Sequence, residues 1–254
     1  VLVQPLNYES WKSVMADIKA MLGTANEIKF SFDQVLLRAN VRDSGEARVA
    51  ASFCLTICEQ FAAVLCLVEG ELSTHAPVMI RVMLEGLADL INLTNEPGYL
   101  DQIRFENARS DVVLFEQYAS DPDMQDDKEA LETLAKWRSI AIPIRDELKA
   151  KGLQRRDIKW KFDKAGISQD YVAYRVFCSY SHNQLTTLLS RHRGKYELRY
   201  HHEPPLEMTA RTLSIAASIL CRTINELPKF TDISKEEAVQ VTNEADKKWA
   251  RYLS

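Results

Sequence analysis

Two long apolar stretches, residues 47–68 and 78–93, constrain what this chain can fold into more than anything else in it. Arg48 and Glu59 interrupt the first, and Arg81, Glu85 and Asp89 interrupt the second. Charges at that density oppose insertion into a bilayer, so both stretches read as core helices and no membrane contact is expected. Gly70, Thr74 and Pro77 lie between them and supply a stop and a start. Eight glycines and eight prolines in 254 residues are too few for a sandwich with a turn every few residues or for a Gly-rich nucleotide fold. The expected fold is all-α, a single large bundle of about 8–10 helices with long buried central helices.

Periodicity and capping signals place the boundaries. A first helix is expected over residues 8–22, ended by Gly23, and a second over 28–40. Ser44 caps a long helix that stops at Gly70 and is apolar around most of its circumference, as a central strut would be. Thr74 and Pro77 open the next, which ends near Asn95, Pro97 and Gly98, and another covers 99–118. After the Ser120-Asp-Pro-Asp loop, a helix over 125–150 carries Pro143, which should kink it. A short helix surrounds Trp160, and a longer one carrying Arg175 starts after Ser168 and reaches Arg191. Residues 193–202 alternate in polarity and read as extended; Pro204-Pro205 then open a helix to about residue 227, and residues 234–253 form the last. Without a repeat or linker, the chain reads as one helical domain over 1–254, with its core in about 44–227 and peripheral helices at 1–40 and 234–254. The cysteines, Cys54, Cys58, Cys66, Cys178 and Cys221, are odd in number and lack a CxxC pair, which fits buried free thiols in a reducing cytoplasm.

The chemistry gathers in Tyr171-Val-Ala-Tyr-Arg175-Val-Phe-Cys-Ser-Tyr-Ser-His182. On a continuous helix Arg175 and His182 share one stripe, two turns or about 10 Å apart. An arginine fork can hold a phosphodiester, and a histidine can carry a proton near neutral pH, so this pair is the candidate catalytic set. Residues 149–202 hold 12 Lys and Arg against four acidic residues, a local charge of +8 within a chain of net −4, and so favour an anionic partner such as RNA. Arg81, Glu85, Tyr174 and Ser179 are candidate substrate-binding residues beside that pair. The same residues admit a structural reading, in which Arg81, Glu85, Arg175 and His182 form an interior polar network of a non-catalytic module that binds a protein. Tyr171, Tyr174, Phe177, Tyr180, Trp160, Tyr196 and Tyr200 are either base-stacking rings or core, depending on the face they occupy.

Metal and cofactor signals are weak. Asp121, Asp123, Gln125, Asp127, Glu129 and Glu132 imitate calcium-loop spacing, but Asp126 stands where glycine is needed, so they read as an acidic helix start. His201-His202-Glu203 has no second ligand pair at helical spacing. No GxGxxG, P-loop, GxSxG or HExxH occurs, and neither a metal nor a cofactor is expected. A hydrolase built on Ser179 or Ser181 with His182 would lack an evident orienting acid or oxyanion element.

Arg81-x-x-x-Glu85, Trp160 and Tyr174-x-x-x-Cys178-x-x-x-His182 resemble an uncharacterised family of all-helical bacterial proteins, over roughly residues 75–190. That family pairs an Arg-x-x-x-Glu helix with a Tyr-x-x-x-Ser-x-x-x-His helix; here Cys178 takes the serine position. It carries no known activity. Arg175 and His182, with six residues between them, also resemble the HEPN superfamily of helical bundles, whose nuclease members carry an arginine and a histidine with four to six residues between them. This second resemblance implies metal-independent RNA cleavage by a dimer, of a toxin or phage-defence type.

Overall fold

The computed structural model describes residues 8–124, 126–182, 184–192 and 204–252, with side chains from residue 17 onward. Ten α-helices occur among them: α1 (Tyr8–Arg38), α2 (Gly45–Glu69), α3 (Ala76–Asn95), α4 (Tyr99–Ser120), α5 (Lys128–Ala150), α6 (Ile158–Lys164), α7 (Tyr171–Ser181), α8 (Leu185–His192), α9 (Leu206–Glu226) and α10 (Lys235–Trp249). The described residues contain no strand, only an isolated antiparallel bridge between Val41 and Thr231. The expected all-α bundle with long buried helices is therefore the fold. The residues read as extended, 193–202, lie outside the described residues.

The chain packs as two compact units, Val1–Thr94 with Phe162–Ser254, and Asn95–Lys161. In the first, α9 is the shared element and packs against α1, α2 and α10. Its inward face carries Leu213, Ala216, Ala217, Ile219, Leu220 and Ile224, and the small Ala216-Ala217 pair lets a neighbouring helix come close. Helix α2 is capped as its sequence signals: Ser44 Oγ accepts from the Ala47 N–H at 3.1 Å, and Gly70 closes the end. Among the described residues it alone is long and apolar enough to cross a membrane. In this fold it buries Cys54, Ile57, Phe61, Val64 and Leu65 and packs against α1 and α9. The loop between α1 and α2 is tied to the turn before α10, where Asn40 N and Nδ2 donate to Asp232 at 2.8 and 2.7 Å. Those bonds hold the Asp232 carboxyl below its usual range.

The second unit is an antiparallel pair, α4 and α5, followed by the start of α6. Ala108, Val112 and Ala141 form its small core, with Ile142 and Ile144 packed on it. Tyr99 stacks on Trp160 at 6.4 Å, and Arg156 lies over the same indole at 4.8 Å.

Two boundaries differ from the sequence reading. Helix α1 runs through Gly23 without a break, because its buried stripe of Ile18, Met21, Ala25, Ile28, Phe32 and Val35 keeps heptad spacing across that glycine. Helix α5 spans Lys128–Ala150 with Pro143 inside it, as the sequence reading has it. The Arg175 helix ends at Ser181 rather than Arg191, and α8 follows as a separate element. Ser179 and Ser181 turn their hydroxyls back onto the carbonyls of Val176 and Cys178, at 2.7 and 3.0 Å, in competition with the helical ladder. The thiols also differ: Cys54, Cys58 and Cys221 are buried, Cys178 is half-buried and Cys66 is exposed, and all five are free.

Candidate functional site

Helix α7 is held by its aromatic face. Phe162, fully buried, meets Tyr171 and Tyr174 at ring separations of 6.0 and 5.3 Å. Ahead of the helix, Arg222 on α9 pairs with Asp170 at 2.6 Å and fixes where α7 starts. Tyr174 and Phe177 therefore face inward. At about 100° per residue, Val172, Arg175 and Val176 face outward, and His182 at the C-cap falls between these two faces.

Tyr174 meets the α3 motif, 89 residues away in sequence. Its hydroxyl donates to Glu85 Oε1 at 2.8 Å. Arg81 Nη2 bonds the same oxygen at 2.9 Å, and the guanidinium lies over the Tyr174 ring at 5.7 Å. The Arg-x-x-x-Glu and Tyr-x-x-x-Cys motifs thus form one half-buried cluster. Burial pushes the Tyr174 pKa up; Arg81 pulls against that, and Glu85 and Cys178 reinforce it. The phenol stays protonated and acts as a donor. For Arg81, burial works to lower the pKa, but the Tyr174 hydrogen bond and the Glu85 charge leave it raised. Its Nε is buried with no acceptor among the described residues.

Arg175 and His182 stand apart from this cluster. Both side chains are exposed, and neither has a hydrogen bond or ion pair among the described residues. The backbone N–H of His182 caps α7 by donating to Cys178 O at 3.1 Å. Ser179 faces α8, where the Thr187 hydroxyl donates to it at 3.1 Å. Of the candidate site residues, the fold joins Arg81, Glu85 and Tyr174, places Ser179 beside α8, and leaves Arg175 and His182 on the surface.

The basic run is divided. Six of its cations, Lys149 to Lys161, belong to the Asn95–Lys161 unit, where Lys151 pairs with Glu147 and Lys161 with Glu106. Lys164, Arg175 and Arg191 belong to the other unit, and the remaining three lie outside the described residues. Tyr174 and Phe177 are buried, and the half-buried Tyr180 hydroxyl points to Met208 Sδ at 3.4 Å, so these rings are core and not a stacking platform. Tyr196, Tyr200 and His201-His202-Glu203 are outside the described residues, as is Gln125. Asp127 accepts from the Ala130 N–H at 3.0 Å and caps α5, as an acidic helix start would. One pairing has no sequence signal: Arg191 Nη2 bonds His75 Nε2 at 2.9 Å across 116 residues.

The model of a family of unknown function, DUF5677, matches residues 47–197. No curated protein and no solved structure matches the chain.

Proposed function

Since the chain belongs to that helical family of unknown function, whose model covers more than half of it, we propose its role from its own residues: it is a HEPN-like RNA-binding protein that contacts phosphate from the outer face of α7. The observation that carries this reading is that Arg175 and His182 are exposed and without partners among the described residues, while Arg81, Glu85, Arg191 and Arg222 are each engaged. An arginine fork with no internal carboxylate is open to a phosphate. Among the described residues of α7, Tyr174 and Phe177 are in the core, so the contact is to the backbone, with little base preference and strong salt dependence.

The two side chains sit about 10 Å apart along the helix, too far to close on one phosphate. A two-fold dimer that apposes two α7 helices would bring two such pairs together. The exposed apolar side chains support that arrangement: Val172 and Val176 flank Arg175 on α7, and α8 exposes Leu185 and Leu189. Two facing Arg175 side chains repel until an anion lies between them. In that dimer His182 takes the proton of the ribose 2′-hydroxyl as its oxygen attacks phosphorus; the bond to the 5′-oxygen of the next nucleotide breaks and that oxygen is protonated by a histidinium, leaving a 2′,3′-cyclic phosphate and a 5′-hydroxyl end.

The closed Arg81–Glu85–Tyr174 cluster favours a second reading for those three residues. They form the interior network of a non-catalytic module whose α7–α8 face docks a protein.

The test is a salt titration of RNA binding, together with cleavage of an RNA pool in EDTA, for wild type, Arg175→Ala and His182→Ala. Arg175→Ala should weaken binding and reduce the salt slope by about one for each phosphate that the arginine neutralises. Cleavage should appear in wild type and vanish in a folded His182→Ala protein. A folded wild type that binds no RNA at low salt would overturn the reading in favour of the module.

A further inference from the structure

A groove of about 460 Å³ lies within the Asn95–Lys161 unit, between α4 and α5. Four cations line it: Arg109 from α4, Arg145 and Lys149 from α5, and Arg155 from the segment after α5; the one acidic lining residue is Glu116. Arg145 is engaged by Asp146 at 2.8 Å. Arg109, Lys149 and Arg155 have no ion pair or hydrogen bond among the described residues. Lys149 also lies within the field of Asp146, so four cations face two carboxylates, Glu116 and Asp146; the excess positive charge in one concavity favours an anion held among Arg109, Lys149 and Arg155.

The position of Arg155 is set by the backbone. The C-terminus of α5 is a Schellman turn, in which Leu153 N–H donates to Leu148 O at 3.2 Å and Gly152 N–H to Lys149 O at 2.9 Å. Gly152 has φ +90°, a conformation a side chain would strain. Gln102 Nε2 then donates to Gln154 O at 2.9 Å and ties the following segment to α4. Phe105 and Val112, both buried, lie beneath the lining, and the half-buried Val113 and Leu153 give it an accessible apolar wall.

We infer that this groove binds a small organic phosphate, its phosphate held by Arg109, Lys149 and Arg155 and its body lying on Val113 and Leu153. Two guanidinium forks and an ammonium suit a phosphate group. The volume is that of a small-molecule site, and the apolar lining suits a ring or hydrocarbon body more than a run of polynucleotide. This site is separate from the α7 face and does not rest on it.

The experiment is calorimetric titration of the full chain with pyrophosphate, adenosine monophosphate, adenosine and a single-stranded RNA oligonucleotide, at matched ionic strength. The expected result is that the two phosphates bind, the monophosphate more tightly than adenosine. Arg109→Ala/Lys149→Ala should lower that affinity by about tenfold or more. Arg155→Gln, on an exposed residue, gives a second variant should the first fail to fold. Parallel titration of Arg175→Ala separates this site from the α7 face: loss confined to the groove variants supports the assignment, and loss confined to Arg175→Ala overturns it. Absence of binding by both phosphates at millimolar concentration, equal binding of adenosine, or RNA binding in preference through the groove residues would also overturn it.

Discussion

Gly23→Ala should stabilise this protein, and the sign of the effect tests how α1 is built. If Gly23 ended a helix, its backbone would favour a left-handed conformation, and alanine there would be strained and destabilising. In the structure Gly23 lies inside a continuous 31-residue helix, is exposed, lacks a positive φ, and has nothing within 4 Å of where a Cβ would sit. The added methyl therefore meets no clash and gains no packing, leaving the difference in helix propensity as the main term. That difference is about 1 kcal/mol in favour of alanine. It also contains the reduced freedom of the unfolded chain, so the two are not added. For a chain of this size it should raise the melting temperature by about 2–4 °C. The assay is urea and thermal unfolding followed by far-ultraviolet circular dichroism, with the urea midpoint rising at unchanged slope. A fall in stability of about 1 kcal/mol would refute the reasoning and mean that two helices meet at Gly23.

Two further predictions bear on the interior. Tyr174→Phe removes the hydroxyl that donates to Glu85 and leaves Arg81 paired with that carboxylate over the ring. Since water can reach Glu85 and replace part of the bond, the loss should be about 1 kcal/mol. RNA binding should be unchanged, and a large loss of binding without loss of stability would place Tyr174 in the ligand site. Burial, with Asp246 adding, pushes the Cys221 thiol up from 9.0 to about 12. The folded state therefore holds this proton more tightly than the unfolded chain. Stability from this group is complete below about pH 9 and declines as pH rises toward about 12, by about 1.4 kcal/mol per unit. Cys221→Ala should flatten the stability profile by that slope in that window. A profile equally steep in the variant would contradict the burial of this thiol.

What the sequence determined by itself is the helical class and most helix ends. The apolar periods around Ala50, Ile80 and Leu213 are long, and Ser44, Gly70, Pro77, Gly98 and Pro205 act on neighbouring backbone groups, so their effects are legible locally. Where a local signal met a longer one, tertiary packing decided: the buried stripe of α1 outweighed Gly23, and a glycine with no left-handed turn to make is only a weak helix former. Of the site residues, the sequence supplied the motifs but not their geometry. That Tyr174 meets Glu85 and Arg81, that Arg191 meets His75, and that Arg175 faces outward depends on how α3, α7 and α8 are laid against their neighbours. The α4–α5 groove has the same origin, because its cations come from segments separated along the chain and only the packing of two helices puts them on one surface. Contacts across tens of residues are fixed by the burial of whole faces, a property of the assembled core that no short window of sequence contains.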